Sequence, residues 1–144
     1  MGEFKFSLQS VLNHRHDIET ECKNEYRQAQ QNYLKECEKV QQLRQTIENF
    51  RERLMIKGKV TISELQQLNG YQEQLRQKLI EQERVKAKSQ QVVEVAQSQL
   101  LQARVEAQVI EKLEEKQYEA YCHQAKIEEN KMLDELACIK YGRL

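Results

Sequence analysis

The sequence predicts an all-α protein: a long two-helix antiparallel coiled-coil hairpin whose second helix runs on as a C-terminal single-helix overhang. Three observations carry that expectation. The 144 residues contain no Pro and only four Gly, and Gln, Glu, Lys, Arg, Leu and Ala, all good helix formers, dominate. The apolar residues recur with alternating strides of four and three, the heptad pattern of a coiled coil. One short segment around Gly58 carries helix-stop and helix-start signals together. The chain therefore reads as a single coiled-coil domain, with helix 1 over about 7–57, a loop at 58–61 and helix 2 over about 62–140.

Composition narrows the class further. Only 39% of the residues are hydrophobic and 32% are charged, too polar for an ordinary globular core of this length. Disordered chains share that polarity but are usually rich in Pro, Gly and Ser, and this one is not. No apolar run is long enough to span a membrane, and no charged-then-apolar leader is visible. The formal net charge is zero, from 23 basic and 23 acidic side chains, and the pI is about 6.8. That removes the electrostatic footprint of a nucleic-acid binder.

In the first helix the stride passes Leu8, Leu12, Arg15, Glu19, Cys22, Tyr26, Ala29, Tyr33, Glu36, Val40, Leu43, Ile47, Phe50 and Leu54. Eleven of these 14 are apolar, about twice what the 39% composition would give; Arg15, Glu19 and Glu36 are the defects. At the turn, Gly58 suits a left-handed C′ residue. Thr61 and Glu64 have capping-box spacing, and Val60 and Leu65 have the spacing of a hydrophobic staple. In the second helix Leu65, Leu68, Leu75 and Leu79 begin a seam. Gln82, Lys86 and Ser89 interrupt it, and Val93, Ala96, Leu100, Ala103, Ala107 and Ile110 resume it. Folding the chain about Lys59 sets Glu36 beside Gln82, Arg15 beside Ala103 and Leu8 beside Ile110. About 30 residues beyond Ile110 are then left without a partner, including Tyr118 and Tyr121.

Little in the sequence suggests reaction chemistry. His14 and His16 are two apart and point to different faces of a helix. Cys22, Cys37, Cys122 and Cys138 lack C-x-x-C spacing, and free thiols fit a reducing cytoplasm. No Gly-rich phosphate loop is present, and Glu114-Glu115 and Glu128-Glu129 read as solvated helix faces. The expectation is a non-enzyme with no metal and no cofactor. Residues 111–135 hold eight acidic and four basic side chains, which would suit insertion into a basic channel.

The N-terminal run Phe4-Lys5-Phe6-Ser7-Leu8-Gln9-Ser10-Val11-Leu12-Asn13-His14-Arg15, followed by Glu19, resembles the start of the flagellar FliJ family. Glu111-Lys112-Leu113-Glu114-Glu115-Lys116, Tyr121 and the stretch Glu128–Ala137 are similar to its closing pattern. Tyr71, Leu75, Ile80, Glu81 and Gln82 resemble its tip-proximal helix. The resemblance covers the whole chain. It implies a stalk-like component of the flagellar type III protein export apparatus. Such a component inserts into and stimulates the hexameric export ATPase, links it to the export gate and escorts export chaperones. By position it implies gate contacts at Tyr71, Leu75, Leu79 and Gln82. The ring contacts would be Phe4, Phe6, Leu8, Leu12, Leu113, Tyr121, Leu133 and Leu136. It also implies a cytoplasmic protein, peripheral to the inner membrane at the flagellar base and a monomer when free. Without the resemblance, a tethering coiled coil that homodimerises and a holdase-type chaperone hairpin remain alternatives.

Overall fold

The computed structural model describes residues 2–142. It contains two long helices, α1 (Gln9–Ile56) and α2 (Ile62–Gly142), which form an antiparallel hairpin, with no β-strand among the described residues. The chain divides into two compact units. The first joins the N-terminal stretch up to Thr20 with α2 from Leu101 onward, and the second is Glu21–Leu100.

Helix ends follow local chemistry. The Gln9 amide donates to the Phe6 carbonyl at 3.2 Å and the Leu12 amide to the Leu8 carbonyl at 2.9 Å. The helix therefore starts two residues later than the sequence suggested, because Ser7 and Leu8 form a turn leading in from an irregular N-terminal segment. At the other end, the Lys57 amide closes the last turn of α1 on the Arg53 carbonyl at 3.1 Å. Gly58 corrects the sequence reading. No described glycine has a positive φ, and a Cβ at Gly58 would meet nothing within 4 Å. The irregular residues 57–61 reverse the chain without a left-handed residue. Thr61 does cap α2: its Oγ1 accepts from the Glu64 amide at 3.2 Å, and its carbonyl accepts from the Leu65 amide at 2.9 Å. A cap of this kind is worth about 1 kcal/mol. Glu64 in the first turn of α2 and Lys140 in its last complement the helix dipole.

In the second unit the core is Ala29, Val40, Leu75, Ala96 and Leu100, all buried. In the first it is Phe6, Leu12, Ala103 and Ala107. Every one of the fourteen stride positions from Leu8 to Leu54 is buried or half-buried, including the three polar ones, and each of those has a polar partner on α2. Arg15 Nη1 pairs with Glu106 Oε2 at 2.6 Å, and Arg104 Nε pairs with Glu19 Oε1 at 3.5 Å. His16 Nε2 lies 3.2 Å from Glu111 Oε1 and its Nδ1 3.7 Å from Glu19 Oε2. In the second unit the Gln82 amide donates to the Glu36 carboxylate, as folding about Lys59 predicts, and Arg44 Nη2 pairs with Glu83 Oε1 at 2.7 Å. Arg15 corrects its predicted partner, meeting Glu106 rather than Ala103, because the carboxylate lies within reach of its long side chain.

Partly exposed ion pairs contribute only about 0–1 kcal/mol each. Their larger effect is on register. A slip of one heptad would set Arg15 against Gln99 or Leu113, and Glu36 against Leu75 or Ser89. Either slip removes the partner from a half-buried charge, an error that apolar seams alone would not penalise.

Candidate partner-binding surfaces

The first unit holds an arrangement the sequence did not reveal. The irregular segment ahead of α1 lies along α2 as a strap. Phe6 is buried. The Phe4 ring packs on Tyr118 (centroids 5.3 Å apart, planes at 70°) and on Tyr121 (5.5 Å, 47°). The Tyr121 hydroxyl donates to the Gly2 carbonyl. The Phe4–Tyr118 pair is edge-on, and an aromatic pair of this kind adds about 0.5–1.5 kcal/mol beyond area burial. Tyr118 and Tyr121 were expected on an unpartnered helix; instead the chain's own N-terminus occupies them. A groove of about 420 Å³ beside the strap is lined by Phe4, Glu111, Glu114, Glu115 and Tyr118, and its three carboxylates favour a basic visitor.

The uncovered part of α2 therefore begins beyond Tyr121 rather than at Ile110. There Met132, Leu133, Leu136 and Ile139 are all more than half exposed. A stride of four and three from Tyr118 passes Cys122, Ala125, Glu129, Met132, Leu136 and Ile139. The seam upstream ends at Ile110 and Glu114, so its next position would be Gln117. The stripe is displaced by one residue, a single-residue step in the heptad phase. Sequence reading missed Met132 and Ile139 by not allowing for that step.

The expected ring contacts thus separate by environment. Phe6 and Leu12 are core, Leu8 is half-buried, Phe4 and Tyr121 join in the strap contact, and Leu113, Leu133 and Leu136 are exposed.

The expected gate contacts divide in the same way within the second unit. Leu75 is buried and Leu79 half-buried. Gln82 is half-buried with its amide committed to Glu36. Tyr71 is 44% exposed, and the Phe50 ring meets it edge-on at 4.9 Å and 66°. An adjoining groove of about 620 Å³ is lined by Arg44, Arg51, Gln72, Arg76 and Leu79 among others. Of the four residues, Tyr71 alone offers a large surface without unpacking the helix pair.

Among the described residues no cluster of three or more His, Cys, Asp or Glu could hold a metal. Burial and the carboxylates of Glu25 and Glu21 raise the Cys22 thiol above its ordinary pKa, which lowers its thiolate fraction and its reactivity. No helix among the described residues is long and apolar enough to cross a membrane.

Two long helices paired through a polar-keyed seam, with apolar and aromatic side chains displayed outside it, define an all-α helical-hairpin protein. A family model described as "Flagellar FliJ protein" matches residues 4–143. The chain belongs to the FliJ family, whose members are non-enzymatic, stalk-like components of the flagellar type III protein export apparatus. Membership implies interaction with the ATPase and gate components of that apparatus. No curated protein and no solved structure matches the chain.

Proposed function

We propose that the chain inserts the free end of α2 into the hexameric export ATPase and stimulates it. On this reading it meets the cytoplasmic domain of the export gate through the Tyr71 face, with export chaperones as further partners. It works in the cytoplasm, peripheral to the inner membrane at the flagellar base. The observation that carries the reading is the uncovered stripe of Met132, Leu133, Leu136 and Ile139. It is apolar, helical and set in an acidic stretch, as a helix entering a basic channel would be. One helix cannot contact six equivalent subunits alike, so its entry favours different states in different subunits, a population shift through differential contacts. The free chain is a monomer on this reading, since its own second helix already fills the seam that a homodimer would use.

The test is Leu133→Asp with Leu136→Asp. Both sites are exposed, so the helix content of the variant should match that of the parent. Its binding to the ATPase hexamer should fall at least about tenfold, the loss of one hot spot, and stimulation of ATP hydrolysis should fall with it. Full stimulation by the double variant would remove the tail from the interface.

At the gate, Tyr71 is the contact, with Leu79 and Gln82 at its margin. Leu75 supports it from within the helix pair. Tyr71→Ala should weaken binding to the gate's cytoplasmic domain about tenfold. ATPase stimulation, measured on the same preparation, should be unchanged. Unaltered gate affinity would place the contact on another face.

A further inference from the structure

The turn between the helices is apolar in a way the fold does not use. Met55 is 88% exposed, Ile56 84% and Ile62 78%, and Val60 lies beside them more than a third exposed. Helix termination rests on the Lys57 amide and helix initiation on Thr61; neither needs a large aliphatic side chain in water. Around these residues stand Arg51, Arg53, Lys57 and Lys59. None of the four is in an ion pair among the described residues. From Arg53 to Ser63 there is no acidic residue; with Glu52 and Glu64 at its borders, the stretch 51–64 carries four cations and two carboxylates, a local net of +2. In a chain of zero net charge, this is a local concentration of unpaired cations at an apolar protrusion.

We propose that this turn is a membrane-surface anchor: Met55, Ile56 and Ile62 dip into the headgroup region of an anionic bilayer while the four cations rest on lipid phosphates and carboxylates. Two features select lipid over a protein partner. The first is charge: unpaired Lys and Arg next to exposed aliphatics are the combination that anionic interfaces attract. The second is form. The turn is an irregular reversal with open space around Gly58, and its apolar side chains project largely into solvent. The interfacial zone of a bilayer accepts such protrusions without shape complementarity, whereas a protein partner must supply a matching pocket. A few aliphatics alone bind membranes only marginally, and a few cations alone do the same, so the anchor needs both.

The chain has no Trp, so Met55→Trp provides a single indole reporter in the full chain. The probes are vesicles of phosphatidylcholine with about one third phosphatidylserine, and vesicles of phosphatidylcholine alone. With the anionic vesicles the chain should co-sediment and the indole emission should shift to the blue. With neutral vesicles both effects should be at least about tenfold weaker, and raising salt from roughly 0.1 M to 1 M should reverse them. Lys57→Glu with Lys59→Glu, and separately Met55→Ser with Ile56→Ser, should each lower partitioning about tenfold or more. All four sites are exposed, so unchanged circular dichroism serves as the folding control. Absence of co-sedimentation overturns the proposal. So does co-sedimentation with solvent-like indole emission, which would put the lipid contact elsewhere, or indifference to the lysine reversals. A blue shift produced by the gate's cytoplasmic domain and not by vesicles would make the occupant a protein. The vesicle assay contains neither ATPase nor gate, so its outcome is separate from the contacts proposed for them.

Discussion

Val40→Asp is expected to cost about 3–5 kcal/mol of stability, the scale of an uncompensated buried charge. Val40 is 2% exposed and lies on the seam of the second unit. The neighbouring seam polar group, Glu36, is itself acidic and already engaged by Gln82 and Lys39, so it offers the new carboxylate repulsion rather than a partner. The lost Val burial adds to the penalty. Since whole domains are stable by only about 5–15 kcal/mol, a third or more of the urea midpoint should be lost for a mid-range stability of about 10 kcal/mol, with helix content followed by circular dichroism. Leu34→Asp makes the same kind of exchange on the exposed face, 61% accessible, and should change stability by no more than about 0.5 kcal/mol. Equal effects at the two positions would mean that the seam does not hold the helices together.

Removing the strap's anchors should have the second large effect. Phe4→Ala with Phe6→Ala deletes one buried ring and one that packs on two tyrosines. Truncating a buried Phe costs about 3–5 kcal/mol. The strap has no helix or sheet hydrogen bonds of its own to fall back on, so this cost should release it locally rather than unfold α1. Trypsin reads the release directly, because Lys5 lies between the two anchors. Cleavage after Lys5 should accelerate by roughly 100-fold, the factor for about 3 kcal/mol, while cleavage within the helices stays near the parent rate. Unchanged protection at Lys5 would show that the strap is held by something other than its phenylalanines.

Several features were legible from sequence because they are periodic or local. The stride of four and three found the α1 seam at every position, and its polar defects were informative: Glu36 could be matched with Gln82 before any coordinates. Thr61 was readable as a cap because capping depends on residues within one turn of each other. The polar partners of Arg15 and Glu19 were harder to read. Each is a long side chain that can reach any of several neighbours on α2, and geometry alone decides that Glu106 and Arg104 answer them.

The sites were less legible than the fold. Tyr71, Leu75, Leu79 and Gln82 share a helical stripe, and a stripe does not say which members face the companion helix. Leu75 and Gln82 turn inward because Glu36 and the α1 seam stand opposite, leaving Tyr71 to present a surface. The strap was invisible because a short segment with no repeat carries no period to detect. The packing of Phe4 depends on the placement of Tyr118 and Tyr121, far along the chain.

By itself, the sequence determined that this protein is two helices, where they reverse, and that one outlasts the other, since helix formation, capping and amphipathic period are properties of neighbours a few residues apart. Only the tertiary structure decided how much of the longer helix is free. Its first turns beyond the seam meet the N-terminal strap, and the uncovered stretch begins later. That outcome comes from aromatic packing between segments at opposite ends of the sequence, a contact no local pattern encodes.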